Sequence, residues 1–508
     1  MSGRVLEIRA PGGGEVITSV PVQGEASVRA AVAEARAAQQ LWGGTTLRER
    51  RRRMGALAEV IGRRADEIVE RVCLETGKPE AEALAEVIVS VDLIQFYRKV
   101  GPRHLRRRRV GSGWLLGKAA YVEREPYGVV AAIMPWNYPF IMVMDLLSPA
   151  LFAGNALVVK PSEYTPWTAQ LLPELFAEAG FPEGLVQVVT GDGSTGAALI
   201  GAGVNRVVFT GSTATGRKVG AAAGQALVPV TLELGGKDPA VVLEDADLDR
   251  AALGVAYAAF FNAGQTCLSV ERALVVDSVY DAFVEKVCAY TETLRAGTGP
   301  DRDVGPMVTP EQLAIVERHV QDALEKGAKA LTGGRKAAEG GQVYLPTVLV
   351  DVDASMAIMT EETFGPVLPI VRVADEEHAI AEANSLGYGL FSSVWTGDTA
   401  RGLRVARRIR AGGASVNDSL SHYAVPGLPI GGVGDSGFGS RRGLEGLDEM
   451  SRARTVLVHR WGPRRELWWF PYTAGKMRLF RALLDWRSTR GIAGLFAAAK
   501  RLLGRGGT

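Results

Sequence analysis

The chain has 508 residues, 47% of them hydrophobic and 22% charged, which is typical of a soluble globular protein with two or three domains. Disordered and fibrous proteins are excluded, and a formal net charge of +2 gives no general attraction to nucleic acid. Its three cysteines, Cys73, Cys267 and Cys288, lack the spacing of a disulfide framework or a zinc site, and no apolar run reaches membrane-spanning length. We therefore expect a cytoplasmic protein with no bound metal and no nucleic-acid partner.

The first hundred residues show a helical pattern. Between Ala26 and Val100 apolar residues recur three and four positions apart, and Gly77 followed by Pro79 predicts a helix end. The cationic run from Arg103 to Val110 is typical of a solvated loop or hairpin, with a patch for anionic surfaces as the alternative.

The pattern changes between Tyr127 and Leu234. Short β-rich runs alternate there with helical segments, which predicts βαβ units and a parallel sheet covered by helices on both faces. Such sheets bind ligands at the carboxyl ends of their strands. The predicted strands are Val129–Ile133, Ala156–Val159, Val186–Val189, Val207–Phe209 and Val228–Leu232.

Two turns in this region have the chemistry of a nucleotide site. Lys160, Ser162 and Glu163 follow the second strand, where a carboxylate can accept from both ribose hydroxyls of NAD. Gly211, Ser212 and Gly216 open a helix, and a glycine-rich helix N-terminus favours phosphate. No Gly-x-Gly-x-x-Gly motif is present, and the alternative for the glycine pair is an ordinary helix-start turn.

Three residues have the chemistry of a thiol enzyme. Cys267 lies in the polar turn Gly264-Gln-Thr-Cys267, Glu233 ends a strand-like apolar run, and Asn137 follows an apolar strand. A buried carboxyl has a raised pKa and can act as a general base, and an amide can donate to an oxyanion. The alternatives are a small buried thiol, an ion pair of Glu233 with Lys237 or an arginine, and an amide that satisfies turn backbone.

The stretches Leu232-Glu-Leu-Gly-Gly-Lys237 and Gly264-Gln-Thr-Cys267 together resemble the aldehyde dehydrogenase superfamily, and the resemblance runs from about Ala35 to Val458. It implies an NAD(P)+-dependent enzyme that oxidises an aldehyde to a carboxylic acid through a cysteine thioester. The implied fold class is α/β, with two doubly wound α/β domains and a small oligomerisation β-hairpin. The loop from Leu428 to Gly437 has features of the class 3 and fatty aldehyde dehydrogenase branch.

The resemblance also assigns roles to residues. Cys267 is the nucleophile and Glu233 the base that activates water, while Asn137 and the Cys267 backbone N–H form the oxyanion hole. Glu362 binds the nicotinamide ribose and Phe364 positions the ring. Residues expected to contact the cofactor are Lys160, Ser162, Glu163, Gly211, Ser212, Gly216, Trp136, Glu362 and Phe364; those expected to line the substrate tunnel are Tyr138, Ile141, Met142, Phe261, Thr266 and Leu268.

The domain organisation follows from the same resemblance. We expect an NAD(P)-binding domain at 1–103 and 127–235, and an oligomerisation segment at 104–126 and 450–462. A catalytic domain at 236–449 and a basic amphipathic C-terminal extension at 463–508 complete the chain. The expected assembly is a homodimer or homotetramer.

The apolar tunnel residues favour medium or long aliphatic aldehydes or aromatic aldehydes. Succinate-semialdehyde dehydrogenase is the alternative, and a CoA-acylating enzyme or a non-catalytic scaffold is less favoured because neither needs Glu233 as a base. NAD is expected because Glu163 would repel a 2′-phosphate, which Lys160 could offset, so NADP stays an alternative.

The last segment differs from the rest in charge. Residues 461–508 contain ten Lys or Arg and two acidic residues, a net charge of +8. Ile492, Leu495, Phe496, Ala499, Leu502 and Leu503 recur at helical spacing, and Leu467 to Thr473 resembles a segment before the tail of fatty aldehyde dehydrogenases. This pattern favours a helix lying on the inner face of a membrane, with packing over a dimer's substrate entrance or a frayed tail as alternatives.

Overall fold

The computed structural model describes residues 4–12, 14–299, 301–338, 341–489 and 492–502. The chain begins with an antiparallel hairpin, and a layer of four helices follows where the helical pattern predicts it. Gly77 ends the third helix with a φ of 71°, as its sequence predicts. These elements are β1 (Val5–Arg9), β2 (Val16–Pro21), α1 (Glu25–Gly43), α2 (Leu47–Arg63), α3 (Ala65–Thr76) and α4 (Glu80–His104), after which come β3 (Arg108–Val110) and β4 (Lys118–Pro126).

Six strands form the first large sheet, in the order β17-β9-β8-β5-β6-β7, and it contains all five predicted strands with small shifts at their ends. Five of them are parallel, and β17 pairs antiparallel with β9. Every residue of β5 and β6 is buried, because helices cover both faces of a parallel sheet. The strands are β5 (Val129–Ile133), β6 (Ala156–Lys160), β7 (Val186–Val188), β8 (Arg206–Thr210), β9 (Val230–Glu233) and β17 (Gly437–Phe438); the helices are α5 (Ile141–Ala153), α6 (Leu172–Glu178), α7 (Gly193–Gly201) and α8 (Thr213–Gln225).

Seven strands form the second sheet, in the order β12-β13-β14-β11-β10-β15-β16. It is parallel except for the edge strand β12, and a second apolar core lies against it. Two parallel α/β sheets confirm the predicted fold class. The strands are β10 (Pro239–Val242), β11 (Arg272–Val276), β12 (Lys329–Thr332), β13 (Thr347–Val350), β14 (Val367–Val373), β15 (Ser393–Trp395) and β16 (Ser415–Val416); the helices are α9 (Leu248–Phe260), α10 (Asp277–Thr291), α11 (Pro310–Glu325), α12 (Ala357–Thr360), α13 (Glu376–Ala383), α14 (Thr399–Ala406) and α15 (Gly443–Glu449).

A third sheet has the order β18-β4-β3, where β18 is the long strand Ser451–His459. Two compact units divide the chain: Met1–Arg106 with Arg124–Ala453, and Arg107–Glu123 with Arg454–Thr508. The second unit contains α16 (Ala474–Ser488) and α17 (Ile492–Leu502). Leu503, which the sequence assigns to the last helix, lies outside the described residues.

The helices of the described ranges differ from membrane-spanning helices in length and composition. None of those helices is both long enough and apolar enough to cross a bilayer.

Candidate active site

Cys267 follows a turn with left-handed backbone at the end of α9. Asn262 and Ala263 have φ of 54° and 53°, and Gly264 continues with 70°. A side chain at Gly264 would lie 2.1 Å from the carbonyl oxygen of Gly365, so glycine is required there. Left-handed backbone at non-glycine residues is costly and persists only where its surroundings hold it; here the N–H of Asn262 donates to Glu82 Oε1 at 2.9 Å. The position of the thiol is therefore fixed by tertiary contacts.

The Cys267 thiol is half-buried and carries its proton at neutral pH. Burial, together with the carboxyl groups of Asp238, Glu233 and Glu362 and against the effect of Arg441, raises its pKa to about 12. A nucleophilic thiolate must then form by proton transfer to a base.

Glu233 is the last residue of β9 and is buried. It pairs with Thr210 of β8 on one side and with Gly437 of β17 on the other. Its Oε1 atom accepts no hydrogen bond from the described residues. Burial, reinforced by Asp145 and Glu449, raises its pKa to about 8. A carboxyl group that titrates near neutrality has the properties of a general base.

Asn137 lies in the turn after β5, where several buried contacts hold it. Its Nδ2 donates to the carbonyl oxygen of Gln265 at 2.8 Å, and its own backbone oxygen accepts from Lys78 Nζ at 2.8 Å and from Asn262 Nδ2 at 3.2 Å. An amide nitrogen carries two hydrogens, so one remains after the bond to Gln265. The Asn137 amide thus binds a backbone carbonyl group of a turn, which is the structural alternative stated in the sequence analysis, and its second N–H remains available as a donor.

One apolar cavity of about 880 Å³ opens onto Cys267. The hydroxyl of Tyr138 lies 2.6 Å from Oγ1 of Thr266 in its wall, and both side chains are buried. All six residues expected to line the tunnel do line this cavity: Tyr138, Ile141, Met142, Phe261, Thr266 and Leu268.

A second, more polar cavity of about 1280 Å³ also reaches Cys267. Trp136 and Phe364 pack edge to face in its wall, with ring centroids 5.5 Å apart. Glu362 accepts from the backbone N–H of Gly236 at 2.9 Å, and burial raises the pKa of its carboxyl to about 8. Among the residues predicted from sequence, the lining includes Trp136, Asn137, Gly211, Ser212, Glu233, Glu362 and Phe364.

Four predicted cofactor residues lie outside the described lining of that cavity. Lys160 ends β6 and lies 3.2 Å from Glu163, and Ser162 Oγ accepts from the N–H of Tyr164. Gly216 is in the first turn of α8, where a Cβ atom would lie 2.4 Å from Leu234. Gly216 thus permits close packing of α8, a role that differs from direct contact with a ligand.

The second cavity suits a nicotinamide dinucleotide. The helix α8 begins directly after Gly211 and Ser212, and a helix N-terminus attracts phosphate groups. Gly235 has no room for a side chain, because a Cβ atom there would lie 2.2 Å from Glu362, so backbone and carboxylate share this part of the wall. Polar groups at one end and paired aromatic rings at the other match the two ends of such a molecule.

Sequence reasoning missed several residues of both cavities. Glu82 and Glu86 of α4 line the apolar cavity, and Lys78 Nζ lies 4.0 Å above the ring of Tyr138. Tyr423 also lines this cavity, and its hydroxyl donates to Asp145 at 2.7 Å. Charged residues within the otherwise apolar start of α4 are the signal that could have identified the first two.

A half-buried thiol between an apolar cavity and a larger polar cavity, with a carboxyl base nearby, defines a cysteine-dependent oxidoreductase. Residues 1–456 match the family model described as aldehyde dehydrogenase family. The chain is 41% identical to the 4,4'-diapolycopene aldehyde oxidase of Methylomonas sp over 479 residues, 94% of this chain and 90% of that protein.

It is also 37% identical to the succinate-semialdehyde dehydrogenase [NADP(+)] GabD of Escherichia coli, covering 90% of this chain and 95% of that protein. The crystal structure of an NAD-dependent aldehyde dehydrogenase from Sinorhizobium meliloti superposes with a TM-score of 0.88 at 36% identity, covering 92% and 94% of the two chains. The chain belongs to the aldehyde dehydrogenase family and is an NAD(P)+-dependent enzyme.

Proposed function

We propose that the enzyme oxidises medium or long aliphatic aldehydes or aromatic aldehydes to carboxylic acids. The observation that carries this proposal is the apolar cavity at Cys267, whose described lining contains neither lysine nor arginine. A substrate with a second carboxylate would need a cation there, because an unpaired charge in an apolar site is costly. The relative from Methylomonas sp is named for an aldehyde of 4,4'-diapolycopene, which agrees with a substrate of this class.

The proposed chemistry begins when the Cys267 thiol loses its proton to solvent, which forms the nucleophilic thiolate and leaves the Glu233 carboxylate free to act on water later. The sulfur then bonds to the aldehyde carbon, while the second amide hydrogen of Asn137 and the N–H of Cys267 stabilise the oxygen that becomes negative. NAD(P)+, when bound, accepts a hydride from that carbon, which leaves a thioester on Cys267.

Hydrolysis of the thioester returns Cys267 to its initial state. Glu233 takes a proton from a water molecule as the water oxygen attacks the thioester carbon. The carbon–sulfur bond then breaks to release the acid, and Glu233 passes its proton to the departing sulfur. Trp136 and Phe364 hold the nicotinamide end of the cofactor, Glu362 its ribose, and Gly211 with Ser212 the phosphates. Lys160, Ser162 and Glu163 hold the adenosine end, with NAD preferred over NADP.

The test is a substrate panel from succinic semialdehyde through hexanal and dodecanal to an aromatic aldehyde, followed by NADH absorbance. We expect the long and aromatic aldehydes to have the highest kcat/KM, and Cys267→Ala to lose activity while it still binds NAD+. Activity in Cys267→Ala would overturn the mechanism. A preference for succinic semialdehyde, which relatives such as GabD oxidise by name, would overturn the substrate class.

We also propose that the C-terminal extension binds an anionic membrane surface, which brings the cytoplasmic enzyme to the inner face of the membrane. The match to the relative from Methylomonas sp covers 479 residues, more than the 456 residues that match the family model, so it reaches into the extension. This shared segment supports a link between the extension and apolar substrates.

The composition and exposure of the extension support lipid as its partner. Ten basic residues in 461–508 give charge complementarity to anionic lipid. The aromatic and aliphatic side chains that remain exposed there are of the types that enter a lipid interface. They are Trp461, Leu467, Trp469, Phe470, Tyr472, Met477, Leu484, Trp486, Leu495 and Phe496.

Helix α16 has an outward face suited to this contact. Ala482 is its buried residue, and at ~100° per residue Met477 and Leu484 lie on the opposite side with Arg481 beside them. A face with apolar residues and arginine enters the headgroup region readily.

The membrane proposal is tested by sedimentation with vesicles of phosphatidylcholine alone or mixed with phosphatidylglycerol. We expect the full chain to bind the mixed vesicles, and binding to fall with added salt. Phe470→Ser, Met477→Ser and Leu484→Ser combined should abolish binding. The matched control combines Leu227→Ser, Leu331→Ser and Leu403→Ser, which are exposed apolar residues elsewhere. Unchanged sedimentation of the first triple variant would overturn the proposal.

We further propose a homodimer or homotetramer that forms through the segment 104–126 with 450–462. The strand β18 is nine residues long, lies at an edge of its sheet and is largely exposed, and such edges pair readily with another chain. If the enzyme does not bind vesicles, and if truncation at Trp461 yields a smaller assembly, the extension would belong to this contact between copies of the chain.

A further inference from the structure

Arg441 is a buried arginine that the mechanism above does not use. Its Nη1 donates to Oγ1 of Thr210 at 2.8 Å and its Nη2 to the carbonyl oxygen of Met142 at 2.5 Å. Both acceptors belong to residues that line the cofactor cavity, and Thr210 is the register partner of Glu233. The guanidinium group thus lies behind the wall that carries the base.

The backbone of Arg441 is equally fixed. Its N–H donates to the carbonyl oxygen of Ile430 at 2.7 Å, and its own oxygen accepts from the N–H of Ile430 at 2.8 Å. Four residues earlier, Gly437 pairs with Glu233 across β17 and β9. Arg441 and Glu233 are therefore held by neighbouring backbone segments that hydrogen bonds fix in place.

The other charged groups that face Glu233 already have partners. Asp145 of α5 binds Arg442 Nε at 2.6 Å, and Glu449 at the end of α15 binds Arg206. Arg441 makes no comparable short ion pair with any described carboxylate, and its contact with Asp145 Oδ2 is 3.9 Å long. Its charge consequently acts on Glu233, whose pKa it lowers against the effects of burial and the two carboxylates.

Arg441 and Glu233 each also have a buried polar atom without a hydrogen-bond partner among the described residues. Within the described part of the chain, Nε of Arg441 has no acceptor and Oε1 of Glu233 has no donor, although both atoms are buried. Buried polar groups normally have partners, and those without them are frequent at catalytic sites.

We propose that Arg441 is a positioning residue that increases the fraction of Glu233 present as the carboxylate beside the thiol. The inference rests on the proposed thioester chemistry, in which Glu233 activates water. Without the cation, burial and the charges of Asp145 and Glu449 would favour the protonated acid, which cannot take a proton.

The experiment uses p-nitrophenyl hexanoate, an ester that acylates a thiol without a hydride step. A burst of p-nitrophenol reports acylation of Cys267, and the slower steady phase reports hydrolysis of the thioester. Arg441→Met is compared with Arg441→Lys, which keeps the charge. The control is Arg50→Met, which removes another buried arginine that donates to carbonyl oxygens of Gly43 and Phe152.

We expect Arg441→Met to keep the burst amplitude while its steady rate near neutral pH falls about tenfold. The rise of that rate with pH should move upward by about one pH unit, since more base is needed to ionise Glu233. Arg441→Lys should restore most of the profile. Arg50→Met should melt earlier without a change of profile.

Two outcomes separate the possible failures. A burst with an unshifted pH profile in Arg441→Met would overturn the role of Arg441 and leave the thioester mechanism intact. Absence of a burst in the unaltered enzyme, together with no oxidation of any aldehyde, would overturn the proposed function itself. If Arg441→Met does not fold, Arg441→Gln takes its place, because it removes the charge and keeps an N–H donor, and an unshifted profile in that variant would equally overturn the proposal.

Discussion

Lys78 Nζ donates to the carbonyl oxygen of Asn137 at 2.8 Å, so a buried ammonium group fixes the turn that presents the amide to the thiol. The same nitrogen lies 2.7 Å from Oε1 of Glu86, and both side chains are buried. Glu86 in turn accepts from the backbone N–H groups of Phe140 and Ile141, which begin α5. One ion pair between the turn that follows α3 and the helix α4 thus organises the start of α5, which contributes to both cavities.

Lys78→Met should destabilise the enzyme strongly, because Glu86 would keep a buried charge without its cation. Loss of one partner of a buried pair costs about 3–5 kcal/mol of unfolding free energy. Urea unfolding measures this loss, and adding Glu86→Gln should recover part of it. Equal stability of the single and double variants would contradict a buried pair.

Asn137→Ala should lower kcat by about a hundredfold, since the oxyanion would lose one donor. The bond of Nδ2 to Gln265 gives the side chain a structural role as well, worth about 1 kcal/mol. Asn137→Asp keeps the size of the side chain and tests the charge, and it should be at least as inactive. A variant with full kcat and lowered stability would assign Asn137 a structural role alone.

The sequence predicts the two sheets and the positions of Cys267, Glu233 and Asn137 because local patterns encode them. Apolar runs give the strands, and Gly264 gives a turn that no other residue fits. The family resemblance then supplies the six residues of the apolar cavity.

Local patterns of this kind do not predict contacts between residues that are far apart in the sequence. Lys78 reads from sequence as part of a helix end, yet its function depends on Asn137, 59 positions away. In the sequence Arg441 is one of two arginines in a glycine-rich loop, a composition typical of a surface, and its burial follows only from the pairing of β17 with β9. Burial of a charge is a tertiary property, so residue type and spacing do not reveal it.

The pH dependence of turnover should follow Glu233, whose pKa burial raises to about 8. An acid with a raised pKa is protonated below that value, so the hydrolysis rate should fall as the pH drops through about 8 and level off above it. Glu233→Gln should keep one equivalent of NADH per active site in a burst and lose further turnover. Pre-steady-state absorbance measures both. Full turnover in Glu233→Gln would show that another group activates the water.

The choice between NAD and NADP should depend on Glu163, which lies 3.2 Å from Lys160 at the end of β6. A carboxylate at this place repels the 2′-phosphate of NADP, while the lysine attracts it. Glu163→Ala should therefore raise the ratio of kcat/KM for NADP over NAD by about tenfold, or about 1.4 kcal/mol. Glu183→Ala removes an exposed carboxylate just before β7 and is the matched control. An unchanged ratio in Glu163→Ala would place the adenosine ribose away from Glu163. An equal rise in both variants would show that the change in net charge, and not contact with Glu163, sets the preference.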